Sequence, residues 1–218
     1  MLSAVMVDTI ETVIHGRYLV RTARSNHVLV GFHGYGESAE DQLTRLAAIP
    51  GSEAWVVASI QGLHRFYDRR TDRVVSSWMT REDRELMIVD NRTYVSRVVQ
   101  RLLEPTAIEC IVFAGFSQGV AMAFRAAASW SGTRPHVIAV GGDVPPELDT
   151  EALRALSSVL ICRGAEDQWY APDTFDKDVR RLKAAAVNVE PLVAAGAHEW
   201  GGGIAETAGR FLRDKAAG

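Results

Sequence analysis

Apolar residues occur in two kinds of segment that alternate along the chain. Six short runs are almost continuously apolar, which is typical of strands buried on both faces of a parallel sheet; they cover 27–33, 54–60, 108–114, 136–142, 158–164 and 188–195. Most segments between them carry apolar positions three and four residues apart, which predicts amphipathic helices. The alternation predicts a single α/β domain over 1–218, with a mostly parallel central sheet and helices on both faces.

Local signals refine this outline at both ends of the chain. Period-two alternation on either side of His15 and Gly16 predicts an N-terminal antiparallel hairpin formed by 9–16 and 17–23. Near the other end, Pro191 lies inside the last strand. Because proline cannot donate to a central ladder, we expect that strand at the edge of the sheet.

Three sites carry the residue patterns of helix starts. Ser38 with Asp41 resembles a capping box, and Thr80 with Asp83 is a second pattern of the same kind. Pro172 stands where it can occupy the first helical position, because its missing N–H costs nothing there. We therefore expect helices to begin directly after Ser38 and after Thr80, and at Pro172.

Composition narrows the classes of function. The chain has 218 residues, 47% of them hydrophobic, and a net charge of −3, so we expect no nucleic-acid partner. No run of about 18 apolar residues occurs, and the first residues do not resemble a secretory signal, so we expect a cytoplasmic protein without stable membrane insertion. Cys110 and Cys162 are too few for a disulfide framework, and we expect both to be free buried thiols.

The segment 115–119 carries the strongest chemical signal. It reads Gly-Phe-Ser-Gln-Gly, with an apolar strand before it and an alanine-rich helical pattern after it. A sharp strand-to-helix turn of this kind projects the serine oxygen above the sheet, and flanking glycines are needed because a β-carbon would collide at such a bend. The context predicts Ser117 as a nucleophile.

A serine nucleophile needs a histidine base with an acid behind it. In the chain order Ser, acid, His, only His136 and His198 qualify as the base. His136 opens a strand at the wrong end of the sheet, whereas His198 lies in a glycine-rich loop at the carboxyl edge, where open α/β sheets place their sites. For the acid, the pattern leaves both Asp143 and Asp167 open, since each follows a strand at that edge.

Three motifs in order resemble the serine α/β-hydrolases, specifically the phospholipase/carboxylesterase group that includes acyl-protein thioesterases. The family's elbow, its His-Gly-x-Gly-Glu loop and its acid loop are matched by 115–119, 33–37 and 163–172. The resemblance spans residue 28 to the C-terminus; it implies the α/β-hydrolase fold and favours Asp167 over Asp143. The sequence departs from the family at Val120 and Arg163, where a glycine and a histidine are usual, and 76–80 only loosely resembles the Trp-Phe-Asp element.

The resemblance implies a serine carboxylic-ester hydrolase that acts on small to medium acyl esters through the triad Ser117, His198 and Asp167 and a covalent acyl-enzyme. The alternatives are an acyl-thioester or lysophospholipid hydrolase, or a ligand-binding module with an idle triad. The backbone N–H groups of Gln118 and Tyr35 are expected to form the oxyanion hole. No metal or other cofactor is required, and a homodimer is left open.

Aromatic residues near the predicted site suggest a compact pocket. We expect Phe66, Trp78, Trp169 and Trp200 to contact the substrate, since all four lie in segments that reach the carboxyl edge of the sheet. The excursion 61–80 is too short for a separate lid domain, which favours small or medium esters over long-chain lipids.

Overall fold

A seven-stranded, mostly parallel sheet forms the centre of the computed structural model, which describes residues 5–103 and 107–217. In chain order the strands are β1 (Tyr18–Arg21), β2 (His27–Phe32), β3 (Val56–Ile60), β4 (His64–Tyr67), β5 (Val74–Ser77), β6 (Cys110–Phe116), β7 (His136–Val140), β8 (Ser158–Gly164) and β9 (Asn188–Ala194). The spatial order in the large sheet is β1-β3-β2-β6-β7-β8-β9, and β4 pairs with β5 in a separate hairpin. Only β1 runs antiparallel to its neighbour in the large sheet.

The helices cover both faces of this sheet. They are α1 (Ala39–Ala47), α2 (Arg84–Leu103), α3 (Gln118–Ala128), α4 (Thr150–Arg154), α5 (Pro172–Ala184) and α6 (Gly202–Ala216), with a 3₁₀ turn at Ser52–Ala54. Apolar residues of α2, α3, α4 and α5 share one buried cluster, while those of α1 and α6 share a second. The predicted α/β architecture is confirmed. Within the described residues, no helix is long and apolar enough to cross a membrane.

The antiparallel element at the start of the chain differs from the predicted hairpin. Residues 5–17 contain no strand, and β1 pairs instead with β3, with Tyr18 opposite Ile60. The apolar side chains of the first arm face solvent, and Ile10 is 91% exposed. The alternating pattern therefore predicted strand β1 correctly but not its partner strand, because the pairing depends on which face of the strand is buried in the folded protein.

The edge position and two of the three helix starts are confirmed. Strand β9 carries Pro191 and lies at the edge of the sheet. Ser38 and Asp41 form the capping box of α1, and Pro172 is the first residue of α5. The prediction at Thr80 was wrong: α2 begins at Arg84, and the Thr80 hydroxyl donates to the carbonyl oxygen of Glu82.

The cysteines lie on strands β6 and β8, which are separated by β7. Both side chains are buried thiols. Burial raises the pKa of Cys110 to about 11 and also raises that of Cys162. Since the thiolate is the reactive form, neither residue has the character of a nucleophile.

The junction between β6 and α3 is packed backbone against backbone. A β-carbon on Gly115 would lie 2.4 Å from the carbonyl oxygen of Gly119, and one on Gly119 would lie 2.2 Å from that of Phe32. Neither distance is sterically allowed, so only glycine lets the start of α3 approach the ends of β2 and β6 this closely.

We predict that Gly119→Ala lowers the free energy of unfolding by about 1–3 kcal/mol or more, because the new methyl group meets backbone that cannot move aside. Gly203→Ala is the matched control: its β-carbon would meet no atom within 4 Å. That helical site should gain about 0.5–1 kcal/mol from reduced chain entropy. Urea denaturation of both variants checks this, and a Gly119→Ala protein of wild-type stability would contradict the close packing.

A second prediction concerns His136 on β7. Burial, with smaller contributions from Lys215 and Arg134, lowers the pKa of His136 to about 4. Between that value and the ordinary histidine pKa of about 6.5, the unfolded chain binds a proton that the folded protein does not. The contribution of neutral His136 to the free energy of unfolding is therefore fully present above the ordinary histidine pKa. It is lost as the pH falls from that pKa toward the lowered pKa of His136.

His136→Asn should lose less stability than the wild-type protein between about pH 7 and about pH 5, because asparagine does not titrate. The His136 Nδ1 atom lies 2.7 Å from Ser158 Oγ, a contact that the asparagine amide can keep. Urea titrations at the two pH values measure the difference. His15→Asn, at an exposed position, is the control; equal losses in wild type and His136→Asn would exclude the assigned role of His136.

Candidate active site

Ser117 occupies the turn between β6 and α3 with an unusual backbone conformation. Its φ of 51° and ψ of −120° lie in a region that non-glycine residues rarely adopt. Its N–H donates to the carbonyl oxygen of Val140 at 2.9 Å, which fixes the turn against β7. The side chain is thereby held at the carboxyl edge of the sheet, as the sequence pattern predicted for this position.

His198 connects Ser117 to Asp167 through both of its ring nitrogens. Its Nε2 atom lies 2.9 Å from Ser117 Oγ, and its Nδ1 atom lies 2.9 Å from Asp167 Oδ2. A carboxylate only accepts hydrogen bonds, so Nδ1 carries the proton and Nε2 is free to accept from the serine hydroxyl. The structure brings together the three side chains that the sequence analysis predicted for nucleophile, base and acid.

The loop after β8 holds the Asp167 carboxylate in place. Its Oδ1 atom accepts the N–H groups of Trp169 at 2.8 Å and Tyr170 at 3.0 Å, and its side chain is only 1% exposed. Burial alone would raise the pKa of Asp167, but the hydrogen bonds from Tyr170, His198 and Trp169 outweigh burial and lower it. The carboxylate therefore stays ionised beside the imidazole.

Arg163 holds the same loop through two hydrogen bonds to its backbone. Its Nε donates to the carbonyl oxygen of Tyr170 and its Nη2 to that of Asp167, both at 3.0 Å, while the side chain is buried. In the sequence analysis, Arg163 was one of the two departures from the family pattern. The guanidinium thus closes the loop at two backbone points, which gives the departure from the family pattern a structural reason.

The rival acid, Asp143, lies elsewhere in the site. Its side chain is exposed in the wall of the cavity next to Ser117, and among the described residues no hydrogen bond joins it to His198. Gly141, at the end of β7, has φ +66°, and a β-carbon there would lie 3.1 Å from His198 Cε1. The residues after β7 thus leave space for the imidazole without bonding to it.

The two residues predicted as oxyanion donors follow Ser117 and strand β2, respectively. Gln118 is the first residue of α3, so its backbone N–H has no intrahelical acceptor. Its side chain accepts the N–H of Trp78 at 2.9 Å and donates to the carbonyl oxygen of Met79 at 2.8 Å. These bonds brace the turn. Tyr35 follows β2, and its ring, 64% exposed, lies 5.7 Å from that of Phe66.

The loop that carries Tyr35 is itself anchored by charge and by a buried histidine. The Glu37 carboxylate accepts the Gly34 N–H at 2.7 Å and is held by both Nη groups of Arg45, at 2.7 and 2.5 Å. The buried His33 accepts the Gly62 N–H at Nε2 and contacts the Gly34 carbonyl oxygen through Nδ1. Burial lowers the pKa of His33, so its ring is neutral. These contacts give His33 a structural role in the loop.

A cavity of about 510 Å³ opens beside Ser117. Its charged, aromatic and proline lining residues are Arg84, Arg125, Asp143, Pro145, Pro146, Trp169, Tyr170 and His198. Trp169 is 86% exposed, with its ring 6.5 Å from that of His198, so it lies at the rim. Of the four predicted pocket aromatics, only Trp169 lines this cavity.

The other three aromatics lie elsewhere. Trp78 is fully buried and stacks on His33 at 5.1 Å, with its indole N–H donating to the His33 carbonyl oxygen, so the prediction of substrate contact was wrong. Phe66 is on the hairpin formed by β4 and β5, outside the cavity. Trp200 packs partly buried against the core under α6. Sequence shows that an aromatic is near the edge of the sheet but not which way its side chain points.

The sequence analysis did not identify two arginines that line the cavity. Arg125 is on α3 and Arg84 opens α2; both contact Glu147. In the sequence each resembles an exposed charge on an amphipathic helix, and only the packing of α2 against α3 shows that they meet.

Comparison with known proteins agrees with this geometry. The family model for phospholipase/carboxylesterase matches residues 20–198. No match was found among curated proteins. The fold is shared with the acyl-protein thioesterase 2 of Zea mays, which has 16% identity over 92% of this chain and 99% of that one, with a TM-score of 0.69.

Two bacterial carboxylesterase structures are similar to the same extent. The Bacillus cereus enzyme has 17% identity over 92% of this chain and 94% of its own, with a TM-score of 0.70. The Mesorhizobium loti enzyme has 16% identity over 91% of this chain and 94% of its own, with a TM-score of 0.72. The family match covers most of the sequence, and the shared fold extends over nearly all of it. The chain therefore belongs to the phospholipase/carboxylesterase family and is a carboxylesterase-type hydrolase with the α/β-hydrolase fold.

Proposed function

We propose that the protein hydrolyses small to medium carboxylic esters through a covalent acyl-enzyme on Ser117. One observation carries the proposal: His198 lies 2.9 Å from Ser117 Oγ on one side and 2.9 Å from the buried Asp167 carboxylate on the other, next to an open cavity. A serine hydroxyl is a weak nucleophile by itself, and this arrangement supplies the base that activates it.

In the acylation step, Ser117 Oγ attacks the ester carbonyl carbon while His198 Nε2 takes the hydroxyl proton. The carbonyl oxygen becomes a tetrahedral oxyanion. Collapse of that intermediate breaks the bond to the leaving alcohol, which receives the proton back from His198. Asp167 remains ionised throughout and stabilises the imidazolium, consistent with its lowered pKa. In the second half, a water attacks the acyl-enzyme with His198 as base and releases the acid.

The oxyanion would be stabilised by the backbone N–H groups of Gln118 and Tyr35. Such donors act strongly only if they are fixed before the reaction begins. The Gln118 side chain ties the start of α3 to the segment after β5, and Glu37 ties the loop after β2 through the Gly34 N–H. Both proposed donors therefore belong to braced backbone.

The size of the substrate follows from the cavity and its surroundings. A volume of about 510 Å³ lies within the usual range for small-ligand sites, about 300–1,000 Å³. The excursion between β3 and α2 forms the hairpin of β4 and β5, which attaches to the loop after β2 through the bridge between Glu37 and Ser76. These features support small or medium esters as substrates.

Ser117→Ala should reduce turnover of a p-nitrophenyl ester by several orders of magnitude, because removal of the nucleophile leaves only binding and oxyanion stabilisation. Ser131→Ala, at an exposed position after α3, is the matched control and should keep full activity. Initial rates with equal amounts of folded protein measure both. If Ser117→Ala keeps more than about a tenth of wild-type turnover, Ser117 is not the nucleophile.

The acid is tested by a pair of isosteric changes. Asp167→Asn should lower turnover by about 10⁴-fold, because an amide favours the wrong histidine tautomer. Asp143→Asn should keep most of the activity, since no hydrogen bond joins Asp143 to His198 among the described residues. Both variants are first checked for folding by circular dichroism. The opposite pattern would assign the acid to Asp143, and mild effects from both would contradict a working triad.

A further inference from the structure

Arg125 is a charged residue that is almost completely buried, yet it forms part of the wall of the cavity beside Ser117. Its exposed fraction is 2%. Ala121 and Arg125 are four residues apart on α3 and both line the cavity, as does Ser117 in the turn before the helix, so Arg125 lies on the face of α3 that borders the cavity. Side chains on a helix lean toward its N-terminus, which directs the long arginine side chain back toward the serine.

The guanidinium of Arg125 is only partly satisfied. Its Nε and Nη2 atoms both contact Glu147 Oε1, at 2.8 and 2.6 Å. The contacts of Nη1 among the described residues are two sulfur atoms, Met79 Sδ at 3.8 Å and Met122 Sδ at 4.0 Å. Thioether sulfur is a weak acceptor, and the guanidinium has five N–H donors. The Nη1 donors therefore have no oxygen partner within the described residues.

A second cation lies at the same place. Arg84 lines the cavity, and its Nη2 atom is 3.6 Å from Glu147 Oε2, so two guanidinium groups share one carboxylate. Arg84 also pairs at 2.9 Å with Glu85, whose side chain is 80% exposed. An exposed ion pair of this kind contributes little and is readily exchanged for another anion.

The acidic residue among those that line the cavity is Asp143, which lies in the segment after β7. Burial raises the pKa of Tyr170 most, the nearby Asp178 raises it next, and the charge of Asp143 raises it further. Among the described residues, no ion pair joins Asp143 to either arginine. The wall formed by α2 and α3 thus presents two guanidinium groups, of which Arg125 Nη1 has no oxygen partner among the described residues and Arg84 is held mainly by an exposed ion pair.

We propose that this wall recognises a carboxylate on the substrate, so that the preferred ester carries a free acid group in addition to the reacting ester. Arg125, through Nη1, and Arg84 bind that carboxylate while the ester carbonyl lies at Ser117. Arg125 is then a specificity-determining residue. The inference rests on the proposed hydrolysis at Ser117 and names the class of substrate for that site.

Physical chemistry favours this role over a purely structural one. Burying a guanidinium is costly unless its donors are paired, and a pair made only to fasten α3 would be expected to satisfy Nη1 as well. A charge-assisted bond from a partly buried guanidinium to a carboxylate is about twice as strong as a neutral one. A neutral amide of the same shape cannot replace the carboxylate, because it brings no opposite charge.

The test compares matched substrates. One pair is the monomethyl ester of adipic acid and the same ester with its free carboxylate replaced by a carboxamide, which places the charge on the acyl half. The other pair is the acetate ester of a hydroxy acid and the corresponding hydroxy amide, which places it on the alcohol half. In at least one pair the wild-type kcat/KM should favour the acid by about 10-fold to 100-fold, chiefly through KM.

Three variants test the origin of this preference. Arg125→Met combined with Glu147→Gln, which removes both charges of the pair, should lower the acid-to-amide ratio by about 10-fold or more. Glu147→Gln alone should raise that ratio, since it removes the competing negative charge while an amide oxygen remains to accept from Arg125. Arg154→Met, on α4 with an exposed partner at Glu151, is the control and should keep the wild-type ratio. Equal kcat/KM for acid and amide in both pairs, or a ratio that survives the double change, would overturn the proposal.

Binding without turnover separates this inference from the proposed function. Ser117→Ala protein is titrated calorimetrically with the acid and the amide of each pair. In the pair that shows the kinetic preference, it should bind the acid about 10-fold more tightly. If the neutral esters are hydrolysed through Ser117 but no acid preference appears, the anion site is wrong and the esterase stands. If the acid binds tightly with Arg125 intact but no ester is cleaved, the anion site stands and the proposed reaction is wrong.

Discussion

The close approach of α3 to the sheet is the constraint on which the site depends. The backbone at Gly119 lies so near the carbonyl oxygen of Phe32 that no β-carbon fits between them. This contact forces the abrupt turn at Ser117 and leaves the first N–H of the helix at the edge of the sheet. It also brings Arg125 to the cavity, because the whole face of α3 is positioned together. The proposed nucleophile directly precedes α3, and the proposed oxyanion donor and the proposed specificity residue lie on it, so one helix positions all three.

A second, independent set of contacts places the base. His198 and Asp167 come from the loops after β9 and β8, and neither depends on α3 for its position. Two backbone N–H groups hold the carboxylate, and Arg163 fastens the loop at the carbonyl oxygens of Tyr170 and Asp167. The serine hydroxyl and the imidazole meet because both sets of contacts end at the same edge of one sheet. A displacement of about 1 Å in either set of contacts would lower the rate of the proposed reaction considerably.

The sequence predicted most of the features that are encoded locally, although the helix start expected at Thr80 was wrong. The capping box at Ser38, the proline that starts α5 and the glycine-flanked turn at Ser117 each depend on neighbours in the chain, and each is found in the structure. Pro191 also predicted an edge strand correctly, because a residue without an N–H cannot donate to a central ladder in any fold.

Features that depend on distant contacts were not predictable in this way. The strand partner of β1 is β3, about forty residues further along the chain, and alternation carries no information about that pairing. Trp78 was expected in the pocket but is buried beneath it, because its segment turns inward to bond with Gln118. Arg125 has the spacing of an exposed helix residue, and only the neighbouring Glu147 explains its burial. The residues of the proposed triad could thus be predicted from the sequence, whereas the shape and charge of the pocket could not.

The central claim is that Ser117 is held as an activated nucleophile by this geometry. The most direct measurement is the intact mass of the protein after brief treatment with a fluorophosphonate, followed by peptide mapping of the modified site. The account predicts one phosphonyl group per chain, carried by the peptide that contains Ser117, and much slower labelling when Asp167 is replaced by asparagine. An unmodified protein, or a label on any other residue, would contradict it.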